Sequence, residues 1–574
     1  VVKQVKIVQK KRYLITSALP YINGVKHLGN LIGSILPADV YAKFLRQFGE
    51  EVLFVCGTDE HGAPAEIAAK ENGKELEGYC AEFHAIQKNI YEKFDIEFDY
   101  FGRSSSISNH ELTQQIFLKL KKSDAVYEKR INQYYSLDDE RFLPDRYIEG
   151  QCPHCHFLRA RGDQCDGCGA LLDPEDLLEP YSSISKSSNL ELRQTSHFFI
   201  NLAKYEKKIA DWVSSQGEWS EMVRGIAKKW LKEGLRDRCI TRDLKWGIRV
   251  PQKGYEDKVF YVWFDAPNAY ISMTKDWALE SGAPEQWKDW WLSDDVHYTQ
   301  FMGKDNVPFH SIFWPAILFA SDLGFKQVDH IKGFHWLTYE KGKFSTSQKR
   351  GVFTDVVLTL YQADYWRYYL LSHCPETSDS DFSFSLFGAV VNKDLAGILG
   401  NFSNRTLSMF EKYYDSRVPL KLTDSQIDHN LLNKASEYVG SIKDNLSTLK
   451  FRNALQALRS LWVLGNEYIT AQQPWTTHKQ NQKQATAITL VHCIHLLRLF
   501  AIVSYPFIPA SAIKILISLN DPHVHRIKET PFWKGLNFSY FEEDHLLQKP
   551  KILFDRIDEL RVKELTAEFS GNAV

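Results

Sequence analysis

Four cysteines, Cys152, Cys155, Cys165 and Cys168, stand in the spacing Cys-x2-Cys-x9-Cys-x2-Cys within QCPHCHFLRARGDQCDGCG. Four thiolates so spaced predict one tetrahedral zinc ion, and a closed four-sulfur set leaves no open position for catalysis, so the ion is structural. Gly167 and Gly169 ease the tight knuckle, with His154 and His156 nearby as alternate ligands. A second group, His27, Gly29 and Asn30, lies in YLITSALPYINGVKHLGNL. Gly29 lets a ligand approach the backbone, while a ring and an amide can donate hydrogen bonds to it. A third, Gly57-Thr58-Asp59-Glu60-His61-Gly62, places polar groups where a substrate can be gripped, although Asp59 can equally cap a helix from Ala63 to Asn72.

The elements that must hold these residues follow from periodicity. Tyr13 to Leu31 reads as a buried strand, a tight turn at Asn23-Gly24 and a helix opening at His27, a layout that directs backbone N–H groups at phosphate. Leu28 to Phe48 recurs at near-helical spacing, with a kink expected at Pro37, and Glu51 to Cys56 reads as a second buried strand. Neither strand is followed by GxGxxG, and no GxxxxGK(S/T) occurs, which argues against dehydrogenase and P-loop chemistry. The pattern loosens from 123 to 242, around the cysteines. Lys258 to Tyr270 then reads as an aromatic strand turning at Pro267, and helical patterns such as Leu431 to Leu446 and Leu455 to Ile469 make a bundle after Asn392.

A chain of 574 residues with 44% hydrophobic and 25% charged residues predicts a globular protein of three or more domains. A net charge of −2 restricts any nucleic-acid footprint to local basic patches. Nine cysteines, four of them clustered, fit a reducing compartment, so the expected location is cytoplasmic. The amino-terminal stretch has no apolar h-region, and the run Leu499 to Ile513 is broken by Pro506 and Pro509, so no membrane association is expected.

ALPYINGVKHLGN resembles the first signature of class I aminoacyl-tRNA synthetases, and closely that of the methionyl-tRNA synthetase family, with Asn30 in place of the second histidine. An amide can donate but has no proton to exchange near neutral pH. GTDEHG resembles the end of that family's second strand, which implies that Asp59 holds the substrate's ammonium group. By the same resemblance Leu19, Tyr21, Trp263, Pro267, Tyr270 and His310 complete a methionine pocket, His310 as a hydrogen-bonding wall, with Asn306 where the family usually has isoleucine. Aromatic walls suit a thioether, although aromatics are also ordinary core. Gly303-Lys304-Asp305 resembles a nucleotide-side loop and is also compatible with a plain turn. Lys341 to Phe353, KGKFSTSQKRGVF, resembles the second signature, a mobile loop whose lysines neutralise the triphosphate; a solvated loop is the plainer reading. Lys343 is retained, Thr346 replaces the second lysine, and Lys349, or else Arg350, is expected to supply the missing charge. Asn401, Arg405 and Trp475 resemble the family's anticodon-reading set.

The resemblance implies an α/β class I Rossmann-type parallel sheet, an inserted zinc-knuckle connective domain and an all-α helix-bundle anticodon-binding domain. Its divisions fall at 1–122, 123–242 with the knuckle at 151–170, 243–335, 336–397 with the Lys343 loop, 398–545, and a tail at 546–574. It implies ATP with Mg²⁺, L-methionine and methionine tRNA as partners, transfer to the 2′ hydroxyl of the terminal adenosine, and a monomer, since no appended dimerisation domain is seen. The alternatives are a cysteine or leucine enzyme of the same class, or an inactive tRNA-binding paralogue, raised by Thr346.

Overall fold

The computed structural model describes residues 10–571 apart from 163, 164, 166, 169, 171 and 345–349. Gly169, Thr346 and Lys349 therefore lie outside the described residues. The runs RYLITS and EVLFVCGT form strands β1 (Arg12–Ser17) and β2 (Glu51–Thr58), each buried towards its carboxyl end. With β3 (Tyr100–Arg103), β4 (Val296–Gly303) and β5 (His330–Phe334) they make a parallel sheet of order β5-β4-β1-β2-β3. Ile15 of β1 lies opposite Phe54 on one side and Thr299 on the other. The order reverses between β1 and β4, and the crevice beyond the carboxyl ends at such a reversal is where open α/β sheets bind ligands.

The structure adds detail to one expectation about the flanking helices and corrects another. Leu28–Asn30 runs through a π-helical segment, Leu31–Ile35, into α1 (Leu36–Gln47), so Pro37 sits in the first turn of α1. The irregularity thus falls in a π turn just before the proline, a place where helices commonly bend. Lys258 to Tyr270 is not an extended strand. Only Val259–Phe260 is extended, and Val262–Asp265 and Ala266–Asn268 are helical turns leading into α2 (Ala269–Glu280). Pro267 suits a helix start, and burial of Phe264, Ala269 and Tyr270 in the core beside the sheet outweighs the strand preference of the aromatic run. The close seat of α2 depends on Gly57, where a Cβ would collide with the Gly102 carbonyl and the Met273 side chain.

Between β3 and β4 the loosely patterned region contains an antiparallel ladder, Val126–Ser136 against Leu190–Ile200, paired along its whole length. The cysteine knuckle hangs from a smaller sheet of Ile148–Gln151, Ala160–Arg161 and Leu178–Ser182.

The carboxyl-terminal bundle contains α3 (Asn401–Tyr414), His429–Ser447, α4 (Phe451–Gln472), α5 (Pro474–Lys479) and α6 (Lys483–Ser504). By length and composition α6 could cross a membrane, but 94% of its apolar window is buried inside the protein. The bundle is bolted to the sheet by Arg367, which is fully buried. It donates to Asp39 Oδ2 on α1 at 2.8 Å and to the carbonyls of Phe94, Pro506 and Phe507 at 3.0, 2.8 and 2.9 Å. Lys43 pairs with the other oxygen of Asp39, so the buried charges are matched and hydrogen-bonded.

Candidate functional site

The chain leaving β1 pairs in parallel with the chain leaving β2: Asp59 N donates to the Pro20 carbonyl and Ile22 N to the Asp59 carbonyl, each at 2.9 Å. This lays Tyr21 against Asp59 and brings the first and third motifs together. Gly24 then takes φ +108°, a conformation that favours glycine, and turns the chain into the signature helix. His27 caps that helix: its Nδ1 accepts from Gly29 N at 3.0 Å, and Asn30 Oδ1 accepts from His27 N at 3.2 Å. The proton is therefore on Nε2, and burial, then the Lys26 charge, push the imidazolium pKa down to about 4. His27 is thus a neutral Nε2–H donor. Gly29 is needed for this cap as well as for ligand access, because a Cβ there would lie 2.8 Å from the His27 ring.

The second signature loop is anchored on the first. Phe344 stacks on His27 with centroids 4.5 Å apart and planes within 5°. Thr354 donates to the Lys26 carbonyl through both N and Oγ1, at 2.8 and 2.9 Å. Lys343 is exposed beside this stack. Arg350 donates through Nη2 to the carbonyls of Tyr339 and Glu340 at 3.0 and 3.1 Å, so its guanidinium is engaged with backbone.

Asp59 is 5% exposed, and its Oδ1 has no hydrogen-bond partner. The cap of the helix Ala63–Glu71 is Gly62, not Asp59, so the capping alternative is overturned. Burial, and then Asp265 and Glu60, push the Asp59 carboxyl well above its ordinary range, while Lys26 acts in the opposite direction. Lys26 is itself buried, bonded to Asn23 Oδ1, with its pKa pushed down to about 7 by desolvation against the pull of Asp59. A buried, incompletely bonded carboxylate is built to receive a cation.

The predicted pocket residues gather beside it. Trp263 stacks on Phe309 with centroids 3.6 Å apart and meets Tyr21 edge-on at 6.4 Å. His310 donates from Nδ1 to the Asn306 carbonyl at 3.0 Å, leaving Nε2 to accept from the Tyr270 hydroxyl at 3.2 Å. Burial lowers the His310 pKa to about 4, so the ring is a neutral wall. Pro267 is buried in the turn before α2, and half-buried Leu19 packs against both major cores.

At the end of β4, Lys304 N donates to the Phe334 carbonyl at 2.8 Å; its ammonium pairs with Asp379 at 2.8 Å and lies 4.1 Å from the centre of the Trp336 ring. Gly303 and exposed Asp305 flank it across the crevice from His27. Sequence reading missed Lys26, Trp336, Asp379 and the Asp265–His61 pair, whose Oδ2 and Nδ1 are 2.7 Å apart. Lys26 and His61 lay inside the two quoted motifs and half-exposed Trp336 next to a strand end, whereas Asp265 and Asp379 carried no local signal.

The buried cysteines of the knuckle pack in a core cluster of their own that also holds Ala63 and Val259. The four Sγ atoms lie within 4.8 Å of one another, the one such cluster among the described residues. Backbone N–H groups of His154 and Gly167 donate to the sulfurs of Cys152 and Cys165 at 3.4 and 3.3 Å. Such donors stabilise thiolates, so the four residues fit a bound metal ion, with Cys152 and Cys165 buried and Cys155 and Cys168 exposed. In the bundle, the Arg405 guanidinium lies 5.2 Å from the Trp475 ring centre, and exposed Asn401 donates to Asn466 at 3.3 Å.

A parallel sheet reversing between β1 and β4, with both signature segments at its carboxyl edge, has the class I aminoacyl-tRNA synthetase architecture. A family model described as tRNA synthetases class I (M) matches residues 13–407, and one for the anticodon binding domain of methionyl tRNA ligase matches 418–574. The chain is 49% identical to Methionine--tRNA ligase 1 of Acaryochloris marina, covering 98% of this chain and 100% of that one. It is 47% identical to Methionine--tRNA ligase of Maricaulis maris, with 98% and 99% covered. The solved structure of Mycobacterium tuberculosis methionyl-tRNA synthetase bound by methionyl-adenylate shares the fold, with a TM-score of 0.76 at 24% identity over 95% of this chain and 100% of that one. The chain belongs to the methionine–tRNA ligase family of class I aminoacyl-tRNA synthetases.

Proposed function

We infer that this chain activates L-methionine with ATP and transfers it to the terminal adenosine of methionine tRNA. The observation that carries the reading is the buried Asp59 carboxylate, with an unpartnered oxygen, just past the carboxyl end of β2 and beside a wall of Trp263, Tyr270 and His310. Asp59 receives the α-ammonium, and the aromatic wall takes the thioether, a contact worth about 0.3–1.5 kcal/mol for sulfur on an aromatic ring. The substrate carboxylate then attacks the α-phosphorus and pyrophosphate leaves; no protein side chain forms a bond. His27 Nε2–H, the Gly29 and Asn30 end of the signature helix, Gly303-Lys304-Asp305 and the Lys343 loop supply donors and positive charge where negative charge develops. Asn30 serves as a cap and an amide donor, and Lys349 is assigned the charge lost at Thr346. The terminal 2′ hydroxyl next attacks the acyl carbon and AMP leaves.

Asn401, Arg405 and Trp475 are assigned to the anticodon, and the six divisions given above are kept. Cys152, Cys155, Cys165 and Cys168 are assigned one structural Zn²⁺, and Mg²⁺ accompanies ATP. The reading extends to a monomer in the cytoplasm, a compartment that keeps the four thiols reduced. ATP–pyrophosphate exchange tested with each of the twenty amino acids decides the matter: exchange with methionine supports the reading, and exchange with leucine or cysteine alone, or with none, sinks it.

A further inference from the structure

α3 and α5 meet through two ring contacts. At the first, Arg405 lies over Trp475 at 5.2 Å. Eight residues on, about 12 Å along the helix, Tyr413 stacks on His478 with centroids 3.8 Å apart and planes within 12°. Both rings are half-buried, outside the fully buried core of the bundle. Lys412 Nζ lies 5.7 Å from the Tyr413 ring centre, and exposed Lys479 follows His478. Lys412 falls on the same helical stripe as Asn401 and Arg405, being eleven and seven residues on. The neighbouring acid, Glu411, is engaged by Lys549 at 3.5 Å.

A preformed, face-to-face ring pair flanked by cations is a platform whose stack one more base can extend from an outer ring face, as bases do in single-stranded RNA grooves. Every base offers a π face to stack, and lysines beside the ring hold the phosphates. We propose that the Tyr413–His478 pair is a second nucleobase-stacking site, continuous with Arg405 and Trp475, that takes an unpaired loop base flanking those the first set reads. The proposal rests on the anticodon assignment of Arg405 and Trp475. Because stacking tolerates any base, this site adds affinity and salt dependence without adding base selectivity.

The test uses the full chain and the anticodon hairpin of methionine tRNA, intact or with one abasic nucleotide placed in turn at each loop position. The double variant Tyr413→Ala/His478→Ala is expected to bind the intact hairpin about ten-fold more weakly, the loss that one stacked base gives. One abasic hairpin should lose the same factor with the wild-type chain and lose nothing further with the variant. Tyr413→Phe, which keeps the ring, should bind as wild type. Equal losses by the double variant on every abasic hairpin mean that the pair only packs α3 on α5, and overturn the proposal. Wild-type binding by the double variant, with weakened binding by Trp475→Ala, overturns it too while leaving the anticodon assignment standing. Wild-type binding by Trp475→Ala removes that assignment and the proposal with it.

Discussion

Replacing Lys26 by methionine removes a cation that the structure sets near Asp59 while keeping the volume of its stem. Lys26 is bonded to Asn23, outside direct ion-pair contact with Asp59, so its pull is below the roughly 4 kcal/mol of two charges 4 Å apart at an effective dielectric near 20. Half of that, about 2 kcal/mol, moves a carboxyl by roughly 1.5 pK units. Asp59 already sits above its ordinary range through burial and then Asp265, and only the ionised form grips an ammonium. The sign follows: kcat/KM for methionine falls as pH drops through the Asp59 pKa, and Lys26→Met raises that pKa, so the acid limb moves to higher pH by about 1 to 1.5 units. Lys26 loses its own proton near pH 7, so the two profiles converge above it. Lys26→Arg retains the cation and the wild-type limb. The assay is methionine-dependent pyrophosphate exchange, fitted for kcat/KM across the acid and neutral range. Superimposable limbs for wild type and Lys26→Met would refute the coupling.

Gly29→Ala forces the His27 ring from its cap, and is expected to lower exchange kcat by about ten-fold or more with the methionine KM little changed; an unaltered kcat contradicts the donor role of Nε2. Lys343→Ala and Lys349→Ala should each depress exchange, and full activity in Lys349→Ala with loss in Lys343→Ala removes Lys349 from the mechanism. Purified chain should carry one zinc ion, and Cys165→Ser should lose it and open the knuckle to protease near Cys152; wild-type chain free of zinc after mild purification contradicts the assignment. Arg367→Met leaves three buried carbonyls and part of Asp39 without a donor, at a cost of about 3–5 kcal/mol. That loss reads out as an earlier first transition in urea, and an unmoved transition would contradict the bolt.

What was legible in the amino-acid order was local. The β1 strand, the Asn23-Gly24 turn, the helix opening at His27 and the cysteine knuckle depend on residues within about twenty positions of one another, and all four stand in the structure, whereas the cap that His27 makes emerged only there. Asp59 was legible as a polar group at a strand end, but deciding between cap and ligand needed Gly62 at the cap and an orphan Oδ1. Lys258 to Tyr270 misled because its aromatic residues favour strands in isolation, whereas the core beside the sheet rewards them on a helix. Lys26 and Arg367 lie in recognisable segments, but neither was given a role of its own. Their weight comes from partners brought near only by folding, Asp59 for the first and Asp39, Phe94 and Pro506 for the second.

The apolar helix α6 has a consequence for how the chain is made. While it is emerging from the ribosome, Lys483–Ser504 has the length and composition of a membrane span, and only burial in the finished bundle distinguishes it from one. His429–Ser447 and α4 are synthesised first, so a receptive trough exists before α6 appears, but Phe532–Leu536, which packs across it, comes some thirty residues later. Until α4 and then Phe532–Leu536 cover it, the segment carries its apolar surface uncovered, so docking on α4 is the step that separates it from a membrane span.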